Sequence, residues 1–176
     1  WIQHTANTRG RNFLYQDSWG GDGRRLYNSF YVNHASNPYN PGQNTMDPAQ
    51  STASLDRFED GGAFVRARAS GLEDQYGASG SHPVQSYTRD LVYLRPGSFV
   101  IHDRTSVTVA SADQWLAFHV PKAPTAGATS DPTQRRWNVP GATGTLGSVV
   151  SVLPENVVAK TVSLPGGSTR IEAHAP

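Results

Sequence analysis

The densest set of chemically useful side chains lies between Phe13 and Ala35, in the run FLYQDSWGGDGRRLYNSFYVNHA. Asp17, Tyr27, Asn28, Asn33 and His34 cluster at the ends of strand-like runs, and Trp19, Arg24 and Arg25 occupy the Gly-rich loop between them. Aromatic rings stack on pyranose faces and arginine forks pair with carboxylates, so this mixture suits a sugar-binding surface. Trp19, Arg24, Arg25, Asn28 and Tyr39 are the expected substrate-binding residues. The competing reading of the same segment is a solvated hairpin capped by Trp19.

Other groups point to structure rather than catalysis. His119 in WLAFHVP alternates with Trp115 and Ala117 and reads as an imidazole held within a sheet. His102 reads as a strand histidine in a polar pair. Arg89-Asp90 and Asp103-Arg104 lie on either side of a turn, where an antiparallel pairing would join them as ion pairs between strands. There is no HExxH and no GxSxG, and Gly20-Gly21-Asp22-Gly23 lacks the lysine and following helix of a phosphate loop.

The elements that must position these groups are strands. The run Tyr87 to Thr105, YTRDLVYLRPGSFVIHDRT, has two alternating apolar flanks around Arg95-Pro96-Gly97-Ser98. Pro followed by Gly predicts a type II turn, and apolar residues on both faces predict a central hairpin of a large sheet. Further strands are expected at Trp1–Thr5, Asn12–Asp17, Asn28–Asn33, Leu55–Glu59, Ala63–Ala69, Asp113–Val120, Arg135–Val139, Thr143–Leu153, Val157–Leu164 and Thr169–Ala173. Gly61-Gly62, Leu153-Pro154-Glu155-Asn156 and Leu164-Pro165-Gly166-Gly167 are the turn signals between them. His34 to Ser54 and Gly71 to His82 read as loops.

No window carries a sustained helical repeat. The expected fold is all-β: a large antiparallel β-sandwich, supersandwich-like, of about 10–12 strands, forming one domain over residues 1–176. The chain has no cysteine, which is neutral about compartment, and only two lysines (Lys122 and Lys160); abundant Gly, Pro, Ser, Thr and Asn with a single Met fits a secreted, periplasmic or cell-surface β protein. A net charge of +1 gives no bulk electrostatic case for a nucleic-acid partner, and no apolar run is long enough for a membrane span.

The order YTRDLVYLRPGSFVIHDRT then DQWLAFHVP, with FLYQDSWGG and YNSFYVN upstream and SVVSVLPEN downstream, resembles the sandwich region of the heparinase II/III-like polysaccharide lyases. The resemblance implies an acidic, uronate-containing polysaccharide as partner and β-elimination as the reaction, in which a base takes the proton beside the carboxylate and a tyrosine or histidine protonates the leaving oxygen. It implies an N-terminal helical toroid as a further partner, supplying much of the catalytic set, so that this chain is a fragment inactive by itself. By the same resemblance His4 and Tyr27 are the catalytic candidates. Asp17, with His34 as a substitute ligand, stands in an incomplete site for a divalent metal such as zinc. Two rival readings remain: a non-catalytic carbohydrate-binding module, and a structural protein that self-associates through open sheet edges.

Overall fold

The structure, a computed structural model, describes residues 7–8, 11–12, 30–33, 53–76, 84–108, 110–141, 144–152, 154–164 and 167–176. It is all-β and antiparallel: thirteen strands and one 3-10 segment occur among the described residues. The chain divides into two compact units, Trp1–Tyr31 with Asp113–Pro176, and Val32–Ala112. Short strands β1 (Asn7–Thr8) and β2 (Arg11–Asn12) pair with each other.

The Val32–Ala112 unit is built on one four-stranded sheet. Its strands are β4 (Ser54–Asp60), β5 (Phe64–Ser70), β6 (Val84–Leu94) and β7 (Ser98–Val107), side by side in chain order. All four strands coincide with ones expected from period-2 alternation, because side chains at i and i+2 share a face. The β6–β7 register places Tyr93 opposite Phe99, Leu91 opposite Ile101 and Arg89 opposite Asp103, with the even-numbered residues on the other face. Tyr93 and Phe99 stack at 4.6 Å. A 3-10 segment at Leu72–Tyr76 precedes β6, falling within the expected Gly71 to His82 loop. Glu73 accepts a hydrogen bond from the Tyr87 amide at 3.0 Å, and Tyr76 meets Tyr87 edge to face.

Two expectations about this hairpin need correction. The Arg95–Pro96 bond is cis and Gly97 N–H donates to Leu94 C=O at 3.1 Å, so Pro96 occupies the third position of a type VI turn instead of the second position of a type II turn. The hairpin is also not central: β6 is interior, but among the described residues β7 is an edge strand. The neighbouring Gly61-Gly62 turn forms as expected, with Gly62 at φ +75°, a conformation that glycine adopts without steric cost. Arg95 ties the two turns together: its guanidinium donates to both Asp60 carboxylate oxygens at 2.9 Å and to the Gly62 carbonyl.

The other unit is a sandwich in its own right. One sheet holds β12 (Val158–Ser163), β13 (Thr169–His174), β8 (Asp113–Val120) and β3 (Phe30–Asn33), in that order, with Phe30 and Tyr31 of β3 belonging to this unit. The second holds β11 (Gly144–Ser151), β10 (Arg135–Gly141) and β9 (Thr125–Gly127). Val120 and Ile171 from the first sheet meet Trp137 and Val139 from the second, and Phe118, Val149 and Ala173 pack around them. These residues alternate with polar ones along β8 and β13, which is how two inner faces interdigitate in a sandwich. Strand β9 has no counterpart among the expected strands: three residues, TAG, are too few to show a period. The β10–β11 register shifts between Val139 and Pro140. Pro140 lies beyond the Arg136–Asn138 stretch that pairs with β9, so the missing N–H costs that ladder no bond.

Candidate functional site

Two clusters of charged side chains stand out, one in each unit. The first lies on β8 and β13, where Asp113, Trp115, Ala117 and His119 alternate on one strand and Arg170, Glu172 and His174 on the other. Register places His174 opposite Trp115 and Glu172 opposite Ala117, so these residues share the sheet face that turns away from the Ile171 core. His174 Nδ1 is 2.7 Å from Asp113 Oδ1 and its Nε2 is 2.9 Å from Glu172 Oε2. Arg170 donates to Glu172 Oε1 through Nε at 2.7 Å. Tyr31, Trp115 and His174 form a continuous ring stack, with centroids 5.3 and 5.0 Å apart.

This constellation has the residue types of a proton-transfer site but is closed on itself. Both nitrogens of His174 are engaged by carboxylates, and Glu172 and His174 are each only 5% exposed. A general acid or base needs a ring nitrogen within reach of substrate, and here neither is open. Networks of this kind fix one arrangement of strands, since each member left unmatched would carry a desolvation cost. The Trp115 indole N–H is buried and meets no hydrogen-bond acceptor among the described residues.

The second cluster is accessible. On β5, Arg66 and Arg68 alternate with Val65, Ala67 and Ala69, so both guanidinium groups project from one face. Register puts Arg57 and Glu59 of β4 opposite Arg68 and Arg66, Asp90 of β6 opposite Arg68, and His102 of β7 opposite Asp90. Arg104 lies on the same face, two residues beyond His102. Three arginines converge on one acid. Arg66 Nη2 and Arg104 Nη2 donate to Asp90 Oδ1 and Oδ2 at 2.9 Å, and Arg68 Nε stands 3.9 Å from Oδ2.

The charges are layered. The Asp90 side chain is 8% exposed, whereas those of Arg66, Arg68 and Arg104 are 32%, 35% and 48% exposed. Burial would push the Asp90 carboxyl up; the Arg66 hydrogen bond and the charges of Arg68, Arg66 and Arg104 outweigh it and hold the carboxyl below its ordinary range. Solvent above this point therefore meets positive charge. Arg57 pairs with Glu59 at 2.7 Å. Asp56, at the bulge in β4, is kept below the usual carboxylate range by Ser54 and Ser70, with a further contribution from Arg68. Four guanidinium groups thus face three carboxylates, the most shielded of which is Asp90.

The opposite face of the same sheet carries a structural pair. Arg89 forms a two-pronged ion pair with Asp103 at 2.6 and 2.7 Å, and Tyr87 adds a hydroxyl donor at 3.3 Å. Burial disfavours the Arg89 charge, but Tyr87 and Asp103 more than compensate and hold the guanidinium above its ordinary pKa. Arg89–Asp103 and Arg104–Asp90 are the cross-strand pairs expected from the hairpin sequence.

The candidate residues drawn from the sequence fall elsewhere. His4, Asp17, Trp19, Arg24, Arg25, Tyr27, Asn28, His34 and Tyr39 all lie outside the described residues. Among the described residues no group of three or more His, Cys, Asp or Glu is placed to hold a metal ion, and no helix is long and apolar enough to cross a membrane. Apart from the Arg104–Asp90 pair, neither cluster is among the sites expected from the sequence. Their signal was the alternation itself: Arg66 and Arg68 in FVRARAS, and Arg170, Glu172 and His174 in TRIEAH, place three or fewer polar groups on one face of a short strand.

No protein-family model matches the chain. No curated protein matches it either.

Proposed function

We propose that this chain binds an acidic, uronate-containing polysaccharide through the arginine-bearing face of the β4–β7 sheet. One observation carries the reading: Arg66, Arg68 and Arg104 stand half-open to solvent above the nearly buried Asp90, with Arg57 alongside. Guanidinium forks match carboxylates in plane and spacing, and they keep their charge at any physiological pH. Rim positions of this kind give recognition that weakens with salt. The rings on this face of β4–β7 are the half-buried Phe64 and the His102 imidazole, with no Trp or Tyr, so base stacking of the sort that holds single-stranded nucleic acid has little to work with.

The likeness to heparinase II/III-like sandwich sequences supports the same polymer class and adds a reaction, β-elimination beside the uronate carboxylate. In that reading the chain is the sandwich portion of a secreted lyase, and its arginine face holds the polymer while the eliminating groups lie elsewhere. The test is a titration with polygalacturonate, alginate, hyaluronan and heparin, with uncharged glycans as controls, while near-ultraviolet absorbance is followed for unsaturated uronate products. Binding to the acidic polymers together with such products supports the lyase reading. Binding without them leaves a carbohydrate-binding module. Absence of binding to every acidic polymer defeats the proposal.

A further inference from the structure

Within the arginine face the four guanidinium groups are not equivalent. Arg66 and Arg104 each donate a 2.9 Å hydrogen bond to Asp90. Arg68 reaches Asp90 only at 3.9 Å and makes no hydrogen bond to it. Arg57 is its direct cross-strand partner on β4. Like charges directly opposite one another in a sheet repel, and side chains so placed have Cβ atoms about 4.5–5.5 Å apart. Among the described residues Arg57 pairs with the exposed Glu59, two residues along its own strand. An anion lying between the two guanidinium groups would relieve this repulsion and accept hydrogen bonds from both.

We infer that Arg57 and Arg68 form the subsite that takes a uronate carboxylate, while Arg66 and Arg104 are positioning residues that act through Asp90. This rests on the acidic-polysaccharide reading above and refines it to a division of labour. Asp90 fixes the two flanking arginines by hydrogen bonds and faces Arg68 at 3.9 Å without accepting a hydrogen bond from it. A carboxylate can then take the forks of Arg57 and Arg68 without displacing an internal hydrogen bond between Arg68 and Asp90. Glu59, which accepts from Arg57 Nη2 at 2.7 Å, is the competing acid on β4, whereas Asp56 is held by Ser54 at 2.5 Å.

The test is calorimetric titration of the full chain with a galacturonate oligosaccharide, comparing wild type with R57Q, R68Q, R66Q and R104Q. Circular dichroism and thermal melting establish that each variant folds. R57Q and R68Q should each weaken binding roughly tenfold, as expected for loss of one charge-assisted hydrogen-bonding fork. R68K should recover only part of this loss, because an ammonium cannot bridge as a fork does. R66Q and R104Q should change affinity by less than about threefold. They should instead lower stability at pH 7 and make its loss below about pH 4 shallower, since each removes a group that keeps Asp90 ionised.

Wild-type affinity retained in folded R57Q and R68Q overturns the subsite while leaving the acidic-polysaccharide reading intact. Equal losses in all four variants overturn the division of labour. Tighter binding of dextran sulfate than of the galacturonate oligomer overturns the carboxylate assignment. Failure of the wild-type chain to bind the oligomer or any acidic polymer overturns both readings together.

Discussion

Arg89 and Asp103 face each other across β6 and β7 and close a two-pronged ion pair, Nε to Oδ1 at 2.6 Å and Nη2 to Oδ2 at 2.7 Å. The pair is largely enclosed: the Asp103 side chain is 8% exposed and that of Arg89 19%. Removing one member of a buried pair leaves the other charge desolvated. Asp103→Ala should therefore destabilise the Val32–Ala112 unit by roughly 3–5 kcal/mol. Arg57→Gln, at an exposed pair, should cost no more than about 1 kcal/mol. Urea unfolding of the two variants gives the comparison, and equal midpoints would contradict the assignment of Arg89–Asp103 as the structural pair.

Asp90 makes stability depend on acid. Its carboxyl is held below the ordinary value of 3.8 in the folded chain. A group whose folded pKa is depressed contributes stability that is fully present above the unfolded value and disappears as pH falls through the folded one. Thermal midpoints should therefore be level near neutrality and fall below about pH 4. Asp90→Asn should lower the midpoint at pH 7 and make the acid limb shallower. Asp56, Asp60 and Asp131 are also depressed, so the limb should be reduced without vanishing. A limb of unchanged steepness in Asp90→Asn would show that Asp90 is not linked to folding.

His174 should matter for stability and not for polysaccharide. His174→Phe preserves a ring to stack on Trp115 but removes the contacts to Asp113 and Glu172. Losing hydrogen bonds to charged groups costs about 1.5–3 kcal/mol each, and a stabilisation of that order should be missing in the variant. Tryptophan fluorescence should remain native-like and affinity for galacturonate oligomers should stay within about twofold of wild type. A large loss of affinity with stability unchanged would move the functional site to this cluster.

Ile171 sits at the meeting point of the two sheets in the Asp113–Pro176 portion of the chain, fully buried among Val120, Trp137 and Val139. Ile171→Val should cost about 0.5–1.5 kcal/mol and Ile171→Ala about 2–5 kcal/mol, because the second leaves a cavity as well as a lost transfer term. Chemical denaturation distinguishes them. Similar, small losses for both would mean that the sheets do not pack through this residue.

The architecture was largely written in the alternation of side chains. Tyr87 to Thr105 reveals both strands, both faces and both cross-strand ion pairs, because each face carries residues of matched type on its two strands. The turn between them was misread: Pro-Gly is compatible with two turn types, and the isomer of the Arg95–Pro96 bond has no local signature beyond the proline itself. Strand β9 was missed because three residues cannot display a period. The arginine face escaped notice for a different reason. Arg57, Arg66, Arg68, Asp90 and Arg104 come from four strands, and only the pairing register brings them together. The β8–β13 cluster is similarly non-local, joining Asp113 to His174 across 61 positions. Local patterns identify strands; which strand lies beside which is decided by burial and turn geometry over the whole sheet.

The central claim is that the β4–β7 face recognises the carboxylates of an acidic polysaccharide. The most direct measurement is the affinity of the chain for polygalacturonate against the same polymer with its carboxyl groups methyl-esterified, at low and high salt. Binding to the free acid that weakens with salt and is lost on esterification is the predicted result. Equal binding of the two polymers, or binding insensitive to salt, would contradict it.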